Sequence, residues 1–239
     1  MHTYIINLQK SSDRRKNIKE NLKNESELEY EFIEAVDGRQ LSEKEIELLF
    51  NVKKAEKKSG WKVLPGEIGC TLSHQKCYKE LISSMYNYVL ILEDDVVIKE
   101  KISSKVNIID KIMNVNEPRI LLISGLFIFS KKLTIDGENV GIVKDAALTH
   151  SYCINKAAAQ KLIEPRPYIR ADDWRYLIHK DVTVYGLIPH LVNQDNFNGT
   201  TISNGRKRID FCFFPRIREI FRSIRIHIYK LIGREEPRE

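Results

Sequence analysis

The stretch Tyr88-Val89-Leu90-Ile91-Leu92-Glu93-Asp94-Asp95 decides the fold class of this chain of 239 residues. Residues 88–92 are apolar without interruption, which is typical of a strand buried on both faces of a parallel sheet. Three consecutive carboxylates follow. Open α/β sheets bind ligands beyond the carboxyl ends of their strands, and adjacent carboxylates repel one another unless a cation lies among them. The stretch predicts either a central strand that ends at a cation-assisted ligand site, or a solvated acidic turn.

Helical and strand patterns alternate on both sides of this strand. Further strands are predicted at 4–8, 30–36, 120–124, 146–154 and 182–188, and helices at 11–23, 42–50, 65–84, 101–113, 155–163 and 172–178, the last capped by Asp172. The Lys-rich stretch 53–62 predicts an exposed, mobile loop. This alternation indicates an α/β fold with a mostly parallel central sheet flanked by helices.

The segment Pro65-Gly66-Glu67-Ile68-Gly69-Cys70-Thr71-Leu72-Ser73-His74 begins a predicted helix with two glycines. Glycine permits close approach of either a ligand or a neighbouring strand, and both interpretations remain open. The chain has no G-x-G-x-x-G, no P-loop, no G-x-S-x-G and no H-E-x-x-H pattern, which argues against dinucleotide, P-loop nucleotide and the corresponding hydrolase sites.

Two further charged pairs are candidates for chemistry. Arg14 and Arg15 follow the first strand, where a guanidinium could bind a diphosphate; a solvated helix face is the alternative. Asp172 and Asp173 precede Trp174. A carboxylate beside an apolar wall suits a general base, although both residues could instead stabilise a helix start.

The net charge of +6 is concentrated near the C-terminus. Residues 206–234 contain nine Lys or Arg against two acidic residues, a net +7, which leaves about −1 for the rest of the chain. This distribution argues against a nucleic-acid-binding surface spread over the whole domain, and no nucleic-acid partner is expected. We therefore divide the chain into an α/β domain at 1–205 and a basic tail at 206–239.

The tail carries an apolar stripe at helical spacing. It is formed by Ile217, Ile220, Phe221, Ile224, Ile228, Leu231 and Ile232. A basic amphipathic helix of this kind is typical of an anionic membrane interface; the alternative is a helix docked on protein. The start of the chain lacks a basic region and a cleavage site, and the cysteines form no C-x-x-C pair. We expect a cytoplasmic, peripheral protein on the inner membrane.

In this order and spacing the segments resemble glycosyltransferase family 25, the lipopolysaccharide-biosynthesis glycosyltransferases. The stronger matches are Ile6-Asn7-Leu8 with Arg14-Arg15 downstream, Ala35-Val36-Asp37-Gly38, the segment 65–74 and Leu92-Glu93-Asp94-Asp95; weaker ones are Tyr152, Ala171-Asp172-Asp173, Pro189 and Gln194. The resemblance spans about residues 3–203.

The resemblance implies a GT-A-like fold and an inverting, metal-dependent transfer. A hexose, usually galactose from UDP-galactose, would pass with a β-linkage to an acceptor sugar of lipooligosaccharide or a related surface glycan. Asp95 and Glu93 would hold Mn²⁺ or Mg²⁺, and Asp173, with Asp172 as alternative, would be the base. The donor site would comprise Asn7, Leu8, Arg14, Asp37, Gly69, Ser73, His74, Glu93, Asp94 and Gln194. The competing function is a non-catalytic glycan- or membrane-binding protein of the same fold.

Overall fold

The computed structural model describes residues 1–194 and 213–237, with side chains from 219 onward in the second range. The strands are β1 (His2–Asn7), β2 (Glu29–Glu34), β3 (Tyr88–Glu93), β4 (Val96–Ile98), β5 (Arg119–Leu122), β6 (Phe127–Ile135), β7 (Glu138–Ala146), β8 (Ser151–Asn155), β9 (Thr183–Ile188), β10 (Val192–Gln194) and β11 (Glu235–Glu236). The helices are α1 (Ser12–Asn21), α2 (Glu43–Leu49), α3 (Val52–Ser59), α4 (Pro65–Ser83), α5 (Val106–Met113), α6 (Lys156–Leu162), α7 (Trp174–Ile178) and α8 (Phe213–Leu231), with a 3-10 helix at Ile102–Lys105.

Nine of the described strands form one sheet in the order β11-β6-β7-β9-β5-β8-β3-β1-β2, and β10 pairs with β4 separately. Strands β2, β1 and β3 are mutually parallel, as are β5 and β9; the other five neighbouring pairs are antiparallel. The sheet is therefore mixed. Strand β1 has parallel neighbours on both sides, and the antiparallel part includes the β6–β7 hairpin, whose short turn cannot join parallel strands.

Strand β3 is buried on both faces because helices cover each side of the sheet. Val89 and Ile91 pack in a core with residues of α4 and α6, whereas Leu90 and Leu92 pack in a second core with residues of α1 and α5. Successive side chains of a strand point to opposite faces, so a strand between two helical layers must be apolar at every position. The unbroken apolar run at 88–92 follows from this placement.

The stretch predicted as a mobile loop is helix α3, so that prediction is wrong. Asn51 caps the helix by accepting a hydrogen bond from the Lys54 amide at 3.1 Å. Ala55 is buried against a small core that includes Phe50, and Gly60 ends the helix in the left-handed conformation, with φ of 78°. Capping and a buried alanine thus stabilise a helix that the lysines do not oppose, since lysine is a good helix former.

Two predicted boundaries also differ from the structure. The strand expected over 146–154 is two strands, β7 and β8, separated by a loop at 147–150. Helix α7 has Asp173 and not Asp172 at its N-cap position, and no side-chain hydrogen bond caps it. Asp172 therefore precedes the N-cap of α7, which matters for the site.

The C-terminal segment returns to the sheet. Strand β11 pairs with β6 and forms one edge of the sheet, and Glu236 accepts hydrogen bonds from both the backbone and the ring of His190. Among the described residues no helix has the length and apolar character needed to cross a membrane.

Candidate active site

A cavity of about 390 Å³ lies at the carboxyl ends of β1, β2 and β3. These strands are parallel, so the residues that follow them meet at one edge of the sheet. Strand β8 is antiparallel to β3, so the loop that precedes it reaches the same edge. Helix α4 closes one side. A volume of this size lies within the range of small-molecule sites.

The glycine-containing segments pack backbone against backbone. A Cβ at Gly38 would lie 1.8 Å from the Pro65 carbonyl oxygen, and a Cβ at Gly69 would lie 2.4 Å from the Val36 carbonyl oxygen. The Val36 amide also donates a hydrogen bond to Ser73 Oγ at 2.9 Å. The glycines at the start of α4 were expected to permit close approach of either a ligand or a neighbouring strand. In the structure Gly69 packs closely against the backbone of the loop after β2, whereas Gly66 lines the cavity.

The acidic triplet is held by neutral and cationic donors. Asn7 donates to Asp94 Oδ2 at 2.7 Å, and Arg14 donates to Asp94 Oδ1 at 3.1 Å. The same Arg14 nitrogen lies 3.7 Å from Asp95 Oδ2, to which Gln194 also donates at 3.0 Å. Arg14 thus supplies one positive charge to two of the three carboxylates.

The three carboxylates of the acidic triplet differ in the direction in which their pKa values are shifted. Burial raises the pKa of Asp94 despite the opposing effects of Asn7 and Arg14. Burial and the adjacent Glu93 charge raise the pKa of Asp95. Burial also acts to raise the pKa of Glu93, but the contacts with His74 and Thr149 outweigh it and bring that pKa below its usual value. Desolvation and like charge therefore oppose ionisation at two of the three positions.

Glu93 is joined to a buried polar network behind the cavity. Thr149 donates to Glu93 Oε1 at 2.7 Å, and His74 Nε2 lies 3.4 Å from the same oxygen. The other ring nitrogen of His74 lies 2.7 Å from the Tyr152 hydroxyl, which contacts the Tyr78 hydroxyl at 3.0 Å. These contacts fix the ring of His74 with one nitrogen towards the carboxylate.

The donor atoms at this edge fit a divalent cation in two ways. Asp95 Oδ1 is buried and has no hydrogen-bond partner among the described residues, so it is a carboxylate oxygen left for a ligand, as a hard Mn²⁺ or Mg²⁺ ion would require. Separately, Cys70, His74 and Glu93 offer three donor atoms within 4.8 Å of one another. That second set contains sulfur and nitrogen, which zinc prefers. Glu93 belongs to both sets.

Asp37 forms a second charged group at the rim of the cavity. Its carboxylate accepts from Arg39 at 2.9 Å and from Lys10. These hydrogen bonds, that of Arg39 foremost, lower the pKa of Asp37 to about 2. The carboxylate is therefore ionised at neutral pH, with two cationic side chains beside it.

The two candidate bases face different spaces. Asp172 lines the large cavity and its side chain is 41% exposed, whereas Asp173 lines a separate small cavity beside Lys58 and Tyr176. Burial raises the pKa of Asp173 to about 6, against the opposing charges of Arg170, Arg175 and Arg222. The structure thus brings only Asp172 to the cavity that contains the acidic triplet.

Most of the predicted site residues line one cavity. These are Leu8, Arg14, Asp37, Ser73, His74, Glu93, Asp94, Asp95, Asp172 and Gln194. Three do not line it: Asn7 is buried and supports Asp94, Gly69 packs against the loop after β2, and Asp173 faces away. The roles assigned to all of these residues remain predictions.

Sequence reasoning assigned no site role to four residues that the structure brings to this site, although Tyr152 was among the weaker matches to the family. Arg170 lines the cavity and pairs with the buried Glu67 at 2.9 Å. Thr149 and His150 also line it, and Tyr152 orients His74. The predicted strand at 146–154 concealed the loop residues. The adjacency of Arg170 to Asp172 was an available signal for a charged site.

The sequence comparison identifies the class of protein. A profile described as glycosyltransferase family 25 (LPS biosynthesis protein) matches residues 1–176. This range contains the acidic triplet, the glycine segment and both candidate bases. The chain belongs to glycosyltransferase family 25.

Curated relatives match over a similar part of the chain. A glycosyltransferase 25 family member of Aedes aegypti is 29% identical over 172 residues, which cover 70% of this chain and 28% of the relative. Procollagen galactosyltransferase 2 of Homo sapiens is 29% identical over 177 residues, covering 69% of this chain and 28% of the relative. A Bos taurus protein named probable inactive glycosyltransferase 25 family member 3 is 26% identical over 179 residues, which cover 70% of this chain and 29% of the relative. The chain thus spans under a third of the length of these relatives.

Two solved structures with a similar chain course share little sequence with this chain. A197 from STIV aligns over 85% of this chain and 98% of its own, with a TM-score of 0.44 and 11% identity. A glucose-1-phosphate thymidylyltransferase from Bacillus anthracis, described as putative and in complex with sucrose, aligns over 77% of this chain and 66% of its own, with a TM-score of 0.36 and 12% identity.

Proposed function

We propose that this chain is an inverting glycosyltransferase with a GT-A-like fold. It transfers a hexose, galactose from UDP-galactose, with a β-linkage to an acceptor sugar of lipooligosaccharide or a related surface glycan. The observation that carries the proposal is the cavity at the ends of β1 and β3, which contains a buried acidic triplet, Arg14, Arg170 and one outward carboxylate, Asp172. The name of the human relative supports galactose as the sugar.

The donor diphosphate is the part of the substrate that this cavity suits best. Arg14, Arg39 and Arg170 supply guanidinium groups along its wall. A guanidinium binds phosphate oxygens in a bidentate manner and remains charged at every relevant pH. We assign Arg14 to the diphosphate, and Asp94 to keeping that guanidinium in place.

A divalent cation fits the proposed reaction. Asp95 and Glu93 would hold it, with Asp95 Oδ1 as the available oxygen. When bound, Mn²⁺ or Mg²⁺ would supply positive charge that neutralises the departing UDP. Burial makes the negative charges of Asp95 and Glu93 unfavourable without a counterion. Cationic groups beside these two carboxylates would therefore serve as further counterions at this edge of the sheet.

The base in this proposal is Asp172. A general base must reach the proton that it removes, and geometry takes precedence over pKa in choosing it. Asp172 lies on the cavity wall, whereas Asp173 does not. In the proposed step, Asp172 accepts the proton of the acceptor hydroxyl as its oxygen forms a bond to the anomeric carbon. The bond from that carbon to the UDP oxygen breaks, and inversion results.

A non-catalytic glycan-binding protein is the second candidate. Both oxygens of Asp94 already accept hydrogen bonds from Asn7 and Arg14, which reduces the number of free ligand atoms in the triplet. The name of the Bos taurus relative likewise describes a probable inactive protein.

Turnover of nucleotide sugars separates the two candidates. The full chain is incubated with UDP-galactose, UDP-glucose and UDP-N-acetylhexosamines, with Mn²⁺ or with EDTA, and release of UDP is measured. The transferase predicts slow hydrolysis that requires the metal and is fastest with UDP-galactose. Binding of UDP without any hydrolysis would favour the non-catalytic candidate.

A further inference from the structure

Helix α8 is attached to the rest of the chain by its polar side. Arg222 donates to both carboxylate oxygens of Asp145 on β7, at 2.7 and 3.0 Å. Asp145 is buried, whereas the Arg222 side chain is 32% exposed, so the carboxylate end of this pair is shielded from water. Glu219 lies 3.4 Å from Arg175 of α7. An amphipathic helix of a globular protein normally buries its apolar stripe, and here the ion pairs occupy the inward side instead.

The opposite side of α8 is an exposed apolar stripe. Its members are Ile220, Phe221, Ile224, Ile228 and Leu231, together with Ile232 directly after the helix, each between 51% and 73% exposed. At 100° per residue these positions fall within about one third of the helix circumference. Six large apolar side chains side by side are an interaction surface, because isolated exposed apolar residues are common but contiguous patches are not.

The charge of the helix indicates what covers the stripe. By sequence, α8 contains Arg216, Arg218, Arg222, Arg225 and Lys230 against the single acid Glu219, a net +4. Two copies of this helix packed stripe to stripe would bring together two +4 segments. An anionic lipid surface instead complements both features, since it accepts apolar side chains below a negatively charged headgroup layer.

We propose that α8 binds this chain to an anionic phospholipid membrane. The helix lies parallel to the surface, with the stripe at the boundary of headgroups and acyl chains. Arg222 and Glu219 fix the orientation of the rest of the chain. Helix α7, which Glu219 contacts, begins two residues after Asp172. If the proposed function holds, this linkage couples the membrane-bound helix to the cavity, and the acceptor class is then a sugar carried on a membrane lipid.

Vesicle binding tests this proposal without any substrate. The full chain is sedimented with vesicles of phosphatidylcholine alone or with phosphatidylglycerol added. We expect at least tenfold stronger partitioning onto the anionic vesicles, decreasing as salt is raised. The double variant Phe221→Glu/Ile224→Glu should lose tenfold or more of that partitioning.

The matched control adds the same two negative charges elsewhere. Leu48 and Met85 are 74% and 87% exposed and lie outside α8. Leu48→Glu/Met85→Glu should bind anionic vesicles as the unchanged chain does. Leu231→Glu, at the last turn of α8, provides a second stripe variant should the double variant unfold, as judged by circular dichroism.

Three results would overturn the proposal. The first is absence of binding to anionic vesicles. The second is equal binding by a folded stripe variant. The third is a dimer in sedimentation equilibrium that Phe221→Glu/Ile224→Glu converts to a monomer without any vesicle binding, which would make the stripe an interface between copies of this chain. Loss of UDP-sugar turnover leaves all three results unaffected, so this proposal and the proposed function can fail separately.

Discussion

The Arg14 guanidinium lies 3.1 Å from the Asp94 carboxylate, although 80 residues separate them in the chain. Both side chains are largely buried. The parallel pairing of β1 with β3 produces this contact, because it brings the residues that follow both strands to one edge of the sheet. The Arg14 guanidinium therefore lies beside the acidic triplet as a positive charge before any ligand binds.

Arg14→Ala should lower kcat/KM for UDP-galactose by 100-fold or more. It removes a diphosphate ligand and leaves Asp94 and Asp95 buried with less compensating charge. Arg15→Ala is the matched control, because the Arg15 guanidinium lies 3.9 Å from the centre of the Phe32 ring and not in the cavity. Steady-state kinetics on both variants checks this prediction. Equal effects of the two variants would contradict the assignment of Arg14.

Asp172→Asn should abolish transfer to an acceptor while UDP binding is retained. The amide cannot accept the acceptor proton, yet it keeps the shape of the side chain. Asp173→Asn should retain transfer, because Asp173 lines a different cavity. Transfer rates and calorimetric UDP affinities are measured for both. If only Asp173→Asn loses transfer, the base is Asp173, as the resemblance to the family implies.

Asp173→Asn should also stabilise the fold above about pH 6. The pKa of Asp173 is raised from 3.8 to about 6, so the folded protein keeps this proton while the unfolded chain releases it. Stability from this group is present below about pH 4 and is lost as pH rises through 6. The full loss is about 3 kcal/mol.

Denaturant unfolding at pH 4 and pH 8 measures this linkage. The Asn variant should exceed the unchanged chain in free energy of unfolding at pH 8, with little difference at pH 4. Asp172→Asn serves as the control because its side chain is 41% exposed. A less stable Asp173→Asn at pH 8 would mean that ion pairing with Arg170 outweighs burial.

Gly69→Ala should destabilise the protein by about 3 kcal/mol, since its Cβ would lie 2.4 Å from the Val36 carbonyl oxygen. The contacting atoms are backbone, so neither side can move without displacing α4 or the loop after β2. Gly137→Ala is the comparison. A Cβ there meets nothing within 4 Å, and only the φ of 85° opposes it, which corresponds to about 1 kcal/mol. Equal losses in thermal unfolding would contradict close packing at Gly69.

Local patterns predicted the parts of the fold that local chemistry controls. The apolar run at 88–92 was sufficient for β3, and the helix predicted at 42–50 is α2, which begins at a capping box of Ser42 with Glu45. The mixed strand order was not predictable, because strand pairing depends on contacts between residues far apart in sequence. Likewise α3 depends on burial of Ala55 beneath residues of other elements.

The site was partly predictable for the same reason. Carboxylates after a strand mark the edge of a sheet, so Glu93, Asp94 and Asp95 could be placed there from sequence. Which of two adjacent aspartates faces the cavity depends on the turn that starts α7, and the sequence pattern does not contain that information. The position of the Arg170 side chain in the site depends on its ion pair with Glu67, which lies 103 residues away in the chain.

The rate of UDP release from UDP-galactose by Asp95→Ala tests the central claim most directly. The assay compares the unchanged chain and this variant, each with Mn²⁺ and with EDTA, after circular dichroism has shown equal folding. We predict metal-dependent release by the unchanged chain and release at the EDTA level by the variant. Release by Asp95→Ala at the full Mn²⁺-dependent rate would contradict the assignment of the acidic triplet to a metal-assisted sugar transfer.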